Sequence, residues 1–355
     1  MGNKPLVSIC IPTFNNARYI KKTLLSLSNQ TYDNIEIVVC DNASTDNTEE
    51  VVKKNCDGRI SYHKNAENIG SAKNFNKCIS LASGEYVAIY HSDDIYNAGI
   101  VEQESSLLAL NPDAGVVFAL DTLIDEDDAI IGVGENLPKE LRNKNVYTFT
   151  EVYKSLLRSS HNFFICPTFM ARKQVFAKVG LFEETGRYGD WIGGALDTAY
   201  WLRIAERYKV GIINKRLIYR RVTRASGSGQ YVTTTTKRAN HFLVLDDFLK
   251  SPALATGIEP ELFRQYEYNK FWDDVFIARN FVNLKMEKNA RKHLINSISW
   301  RTFFTGIKNF ENFKKLLIYG SFLFFTFIGC SGIVINFIKG IKTKYGKFKR
   351  CKVVH

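Results

Sequence analysis

The stretch YVAIYHSDD, residues 86–94, starts with five small, branched and aromatic residues and ends on two adjacent carboxylates, Asp93 and Asp94. An apolar run of this length without alternation reads as a strand buried on both faces. Ligands of open parallel sheets bind beyond the carboxyl ends of the strands, so these acids belong on a ligand-binding rim. Outward from this stretch, the first 120 or so residues repeat one pattern. Leu6–Ile11, Ile35–Cys40, Ile60–His63 and Gly115–Leu120 are further strand candidates. Between them, Ile20, Leu24 and Leu27 mark a helix with Asn15 or Asn16 as its cap. Asp46 and Glu49 form a capping box for the next helix, Ser71 opens a third, and Val101–Leu110 is a fourth. Strand and helix alternating at this spacing imply right-handed βαβ units: an α/β fold with a mostly parallel central sheet flanked by helices. Leu123–Val133 reads as two short strands around the acidic turn Asp125–Asp128, a solvated hairpin. Further on, helices are predicted at Lys173–Val179, Thr198–Tyr208, His241–Leu249, Glu261–Leu284 and Ala290–Ser299.

The residues that follow each strand are small and polar. They are Pro12-Thr13-Phe14-Asn15, Asp41-Asn42-Ala43-Ser44, Asn68-Ile69-Gly70-Ser71 before the third helix, and His91-Ser92-Asp93-Asp94. One sheet edge should gather all four. The chain has neither a GxxxxGK phosphate loop nor a GxGxxG fingerprint, which disfavours P-loop hydrolysis and Rossmann dinucleotide binding. Without those cradles, paired carboxylates point to a hard divalent cation, Mg2+ or Mn2+, bridging to substrate phosphates.

The net charge of +12 is uneven: Lys339, Lys342, Lys344, Lys347, Lys349, Arg350 and Lys352 put seven positive charges in the tail with no acid among them. Such a tail suits an anionic membrane surface. No nucleic-acid motif accompanies it, so nucleic acid is not an expected partner. Ahead of it, Leu316–Ile338 runs 23 residues without a charge. It reads as a re-entrant or interfacial hairpin, a single span, or a buried helix. Seven scattered cysteines without a CxxC pair point to a reducing compartment.

VSICIPTFN, IEIVVCDNASTDNT, NIGSAKN and ASGEYVAIYHSDD, in that order, resemble the signature of glycosyltransferase family 2 on a GT-A fold. The resemblance covers residues 5–122 closely and 160–230 more loosely. It implies a nucleoside-diphosphate sugar donor. Pro12, Thr13 and Asn15 would lie against the nucleoside, and Asp41 would bond the base edge. Asn68, Gly70 and Lys73 would line the nucleotide pocket. Asp93 would reach the ribose or the metal, and Asp94 would hold Mn2+ or Mg2+ on the diphosphate. His91 stands where many members carry an acid. Asp197, before a Trp-Leu-Arg helix, would be the catalytic base, with Asp190 as its substitute, and Leu196 replaces the usual first acid. Arg221 or Arg224, in a segment similar to the family's mobile loop, would supply positive charge to the diphosphate. His161, Asn162, Phe163, Phe164, Tyr188 and Trp191 would shape an acceptor pocket.

The resulting expectation is an inverting, metal-dependent transferase moving a single sugar to a saccharide acceptor, lipid-linked, in O-antigen, capsule or lipooligosaccharide assembly. It would act at the cytoplasmic face of the cell membrane. The domain plan is a transferase domain at 1–235 (donor half 1–122, acceptor half 123–235), a helical extension at 236–312, a membrane-associating segment at 313–340 and a basic tail at 341–355. The rival readings are a non-catalytic nucleotide-sugar scaffold, which would bind donor without turnover, and a sugar nucleotidyltransferase. The latter usually carries a Gly-rich, basic loop after its first strand, which PTFNNARY is not.

Overall fold

Branched apolar runs form the strands of the N-terminal half. They are β1 Val7–Thr13, β2 Ile35–Asp41, β3 Ile60–Lys64 and β4 Tyr86–Ile89. The helices between them are α1 Ile20–Ser28, α2 Thr48–Lys54 and α3 Ser71–Leu81. The computed structural model describes residues 4–159, 162–183, 195–223, 236, 240–254, 257–308 and 310–327. The chain divides into two compact units, residues 1–155 with 162–223, and residues 156–161 with 224–355.

After β4 the first unit continues with β5 Ile95–Tyr96, α4 Ile100–Leu110, β6 Ala114–Ile124, β7 Ile130–Val133 and β8 Val146–Tyr147. Then come α5 Phe149–Arg158, β9 Phe169–Arg172, α6 Lys173–Val179, α7 Ala195–Ala205 and β10 Lys209–Arg221. All ten strands form one sheet, ordered β3-β2-β1-β4-β9-β6-β10-β5, with β7 on β6 and β8 on β10. β3, β2, β1 and β4 run parallel, as do β6 and β10. Between these groups lies β9, antiparallel to both β4 and β6. Most of its strands thus run parallel, as expected of a GT-A architecture, with β9 reversed near the centre and the short β5, β7 and β8 antiparallel to their neighbours.

The core explains why the apolar runs are continuous. Ile9, Ile11, Ile37, Val39 and Ala88 are fully or almost fully buried, as are Ile20, Leu24 and Leu27 of α1. Each such Leu or Ile contributes about 1.5–3 kcal/mol on burial. β10 carries three register shifts against β6, between Lys209 and Val210, between Ile213 and Arg216 and between Arg216 and Ile218. Bulges of this kind bend a strand and re-aim its side chains.

Several local readings are corrected. Neither Asn15 nor Asn16 caps α1 through its side chain; the Asn16 carbonyl accepts the amides of Tyr19 and Ile20 instead. Asp46 accepts from the amide and hydroxyl of Thr48 and from the amide of Ala17, while Glu49 pairs with Lys53 and Lys64, so no capping box closes. The helix expected at Thr198–Tyr208 runs from Ala195 to Ala205, because its chain turns at Glu206 into β10.

The second unit is helical: α8 Asn240–Phe248, α9 Pro260–Asn283, α10 Glu287–Ser297, α11 Trp300–Ile307 and α12 Phe310–Phe327. Tyr268, Phe271, Val275 and Ala278 of α9 pack with Ala290 and Leu294 of α10 and with Leu316, Tyr319 and Phe322 of α12. Among the described residues no helix is long and apolar enough to cross a membrane. The part of the Leu316–Ile338 run beyond Phe327, and the basic tail, lie outside the described residues.

Candidate active site

The carboxyl ends of β1, β2 and β4 and the first turn of α3 converge on one open cleft of about 220 Å³. Pro12, Thr13, Phe14, Asn16, Asn42, Ser71, Asn74, Phe75, His91, Ser92 and Asp93 line it. Each of the four polar segments singled out in the sequence contributes to this wall.

Second-line contacts fix the loops. Asn16 donates to the Ser92 hydroxyl at 2.6 Å, tying the first segment to the fourth. Asn42 donates to Asn68 at 2.7 Å and accepts from Asn65 and the Ile69 amide. Asn74 donates to the Cys40 carbonyl. Gly70 precedes α3 at φ 84° and ψ 161°, a backbone region that side chains disfavour. This asparagine network was not legible in the sequence, although the count of asparagines in these segments was its one visible trace.

The expected nucleotide residues divide. Pro12, Thr13 and Asp93 line the cleft. Thr13 is 3% exposed and its Oγ1 has no hydrogen-bond partner. Asn15 does not line the cleft: its amide donates to Ser44 and its side chain accepts from Thr45, so it clasps two loops together. Asp41 is fully buried, one oxygen accepting from the Ser44 amide and the other from the Tyr62 hydroxyl. Asn68, Gly70 and Lys73 are exposed beside the lining residues Ser71 and Asn74. Sequence reasoning passed over Phe14, which lines the cleft and is 46% exposed, and Phe75, on which the His91 ring stacks.

His91, Asp93 and Asp94 form the acidic end of β4. One ligand atom from each lies within 4.8 Å of the others. Asp94 is almost fully buried; its Oδ1 accepts from the Arg221 amide at 2.7 Å and its Oδ2 has no partner. His91 Nε2 is likewise buried without a partner. Burial, followed by the neighbouring Asp93 charge, raises the Asp94 carboxyl well above the usual carboxylate range. Burial lowers the His91 imidazole. A neutral imidazole nitrogen beside two carboxylates, with unpaired atoms on two of the three side chains, is a donor set that fits Mn2+ and accepts Mg2+.

Arg221 holds this cluster from behind and is itself 4% exposed. Its Nε donates to the Asp93 carbonyl at 2.8 Å, its guanidinium donates to the Asp125 carbonyl and pairs with Asp128, and it lies 4.5 Å over the Tyr19 ring. Arg221 is therefore committed to the protein rather than free for a diphosphate, which corrects one of its expected roles. The acidic turn is likewise more than solvated: Arg18 pairs with Glu126 and Asp127, and Lys22 with Asp128. Arg224, Asp190, His161, Tyr188 and Trp191 lie outside the described residues.

The antiparallel β9 brings the second half of the site to the same rim. Phe169 at its start pairs with Ile89 at the end of β4, so residues 162–168 lie beyond the carboxyl end of β4. Asn162 donates to the Thr198 hydroxyl at 2.9 Å, linking that segment to the first turn of α7. There Asp197 is part-buried and accepts from the Thr198 amide. Burial raises its carboxyl from 3.8 to about 7. Cys166 feels the charges of both Asp197 and Asp94, and with burial they raise its thiol. Phe163, Phe164 and Leu196 are buried in the protein, so these two aromatics do not form an open acceptor surface.

With this geometry established, known proteins resolve the assignment. Residues 8–180 match the sequence profile described as glycosyl transferase family 2. That segment, just under half of the chain, is a glycosyltransferase family 2 domain. An uncharacterized glycosyltransferase of Methanocaldococcus jannaschii is 29% identical over 225 residues, 62% of this chain and 72% of that protein. The abequosyltransferase of Salmonella typhimurium is 44% identical over 94 residues, 25% of this chain and 28% of the relative. In fold, the chain is similar to the mannosyltransferase of Pyrobaculum calidifontis solved with GDP-Man and Mn2+, at a TM-score of 0.53 and 17% identity, covering 98% of this chain and 89% of that one. The enzyme is a glycosyltransferase, and the comparisons support a nucleotide-sugar donor.

Proposed function

We propose that this glycosyltransferase moves one sugar, with inversion, from a nucleoside diphosphate to a saccharide hydroxyl, using Mn2+ or Mg2+ held by His91, Asp93 and Asp94. The observation that carries this reading is the rim itself, where a nitrogen-and-carboxylate cluster with unpaired buried atoms and a carboxylate raised to about 7 reach one sheet edge from opposite halves of the unit. Bound there, the cation would offset charge developing on the departing diphosphate.

The chain's own residues supply the remaining parts. Phe14 presents an exposed ring on which a nucleobase can stack. The unpaired Thr13 hydroxyl faces the same nucleoside side. Asp41 reaches a base edge only if its Tyr62 hydrogen bond is exchanged for one to the ligand. Asn68, Gly70 and Lys73 belong to the nucleotide side, and Arg224 is the remaining cation for the diphosphate. Asp197, balanced between its two protonation states near neutral pH, suits a general base that takes the acceptor's proton. Displacement with the base opposite the leaving group inverts the anomeric centre.

For the acceptor we favour a lipid-linked saccharide of O-antigen, capsule or lipooligosaccharide assembly, handled at the cytoplasmic face of the cell membrane. The uncharged Leu316–Ile338 run and the basic tail support that reading. A panel of nucleotide sugars screened by thermal shift with Mn2+ identifies the donor, and calorimetry on the hit tests the metal. Mn2+ should tighten donor binding and EDTA should reverse the gain; equal affinity in both would remove the metal from this reading.

A further inference from the structure

The helical unit turns two of its helices inside out. α11 has the pattern of an amphipathic helix, with Trp300, Phe303, Phe304 and Ile307 spaced as i, i+3, i+4 and i+7. In a soluble bundle that stripe faces the core. Here it faces outward: Trp300 is 76% exposed and Phe304 56%. The inward face is instead the small one, with Thr305 and Gly306 buried. A Cβ at Gly306 would come within 2.2 Å of Leu316 Cδ1, so α11 packs on α12 through a glycine made to fit. α12 repeats the arrangement. Leu316, Tyr319 and Phe322 face the core, while Phe313, Leu317, Phe324 and Phe327 form a second exposed apolar stripe.

We propose that the exposed stripes of α11 and α12 form one surface that lies in the interface of an anionic lipid bilayer. Charge complementarity selects this occupant. Between Lys285 and Phe327 the chain carries eight basic residues, Lys285, Lys288, Arg291, Lys292, Arg301, Lys308, Lys314 and Lys315, against two acids, Glu287 and Glu311. A Trp and Phe cluster with such a basic surround is the composition of an interfacial helix, with aromatic rings at headgroup depth and cations toward the lipid phosphates. The three rings of Trp300, Phe303 and Phe304 contact one another and present a continuous patch. An interfacial seat also suits helices too short or too polar to span a bilayer. α12 falls largely within the 313–340 segment to which the sequence assigns membrane association, whereas α11 lies before it and adds a second apolar face.

The inference rests on the membrane location proposed above, and its test separates the two. The full chain is floated with vesicles of phosphatidylcholine alone and with about one-third phosphatidylglycerol, alongside a variant carrying Trp300→Ser and Phe304→Ser. Wild type should float with the anionic vesicles, and the variant should partition about tenfold less. Brominated lipid should quench part of the wild-type tryptophan emission, and Trp300→Phe should abolish that quenching while leaving flotation largely intact. If wild type fails to float, the membrane location itself falls. If the double variant floats as well as wild type, the location stands and the joint surface of α11 and α12 is overturned, with the anchor placed after α11. A wild-type chain that is dimeric without lipid, and made monomeric by the same substitutions, would give the stripes to a second copy and overturn the proposal.

Discussion

The sheet unit and the helical unit treat unsatisfied groups in opposite ways. In the sheet unit the atoms left unpaired at the strand ends of the cleft are polar: Thr13 Oγ1, His91 Nε2 and Asp94 Oδ2. In the helical unit the apolar side chains of α11 and α12 face outward. A buried polar atom without a partner is costly, and so is a large apolar stripe in water. Each cost fits a partner of the same character, polar and charged for the rim and, as proposed above, lipid for the stripes. The difference teaches that one chain can mark two kinds of surface by which rule of folding it breaks.

The largest effect that would sharpen this contrast is on chemistry at the rim. Asp197→Asn should lower transfer about a thousandfold, with donor affinity by calorimetry nearly unchanged. Near-normal transfer would move the base elsewhere, first to Asp190. Next, Asp93→Asn should weaken Mn2+-dependent donor binding about 10- to 100-fold and leave binding in EDTA as it was. An equal loss in EDTA would assign Asp93 to the nucleotide rather than the metal. Arg221→Gln should destabilise the fold by about 2 kcal/mol in urea titrations, because it removes the buried guanidinium's bonds to the Asp93 and Asp125 carbonyls and leaves half-buried Asp128 to Lys22 alone. A neutral result would return Arg221 to the diphosphate role that its sequence context implied.

The smallest effect concerns Asp197 and pH. Its carboxyl releases its proton at about 7 in the fold, against 3.8 without burial. Between those values the folded state holds more proton than the unfolded one, so stability falls as pH rises and is flat above the upper value. Asp197→Asn should therefore melt higher than wild type at about pH 8, and the gap should close toward about pH 4. A gap that instead widens on acidification would mean that the carboxylate is stabilising, and would remove the basis for its role as a base.

Much of the rim was legible because strands buried on both faces leave continuous apolar runs, and the polar residues that interrupt them fall at the strand ends. β9 was not, since Phe169–Arg172 is four residues long and ends on a charge. Asp41 and Asn15 were visible as polar residues in the right segments. Spacing alone could not reveal that Ser44, Thr45 and Tyr62 occupy their side chains. Arg221 shows the same limit: its charge is plain in the sequence, whereas its burial depends on the bulged course of β10 and the turn of the β6–β7 hairpin. For α11 the periodicity of the aromatic stripe was present in the letters, but which face turns inward was decided by Gly306.

The reversed strand has a consequence for engineering. Residues 162–168 hang between two anchors, the Asn162 link to Thr198 and the Phe169–Ile89 register. Phe163, Phe164 and Thr168 are also buried, so an exchange that keeps these three leaves the neighbouring ladder in place. Under the role proposed for Asp197, chimeras that graft this segment from other transferases offer a way to retune which hydroxyl reaches it without rebuilding the cleft.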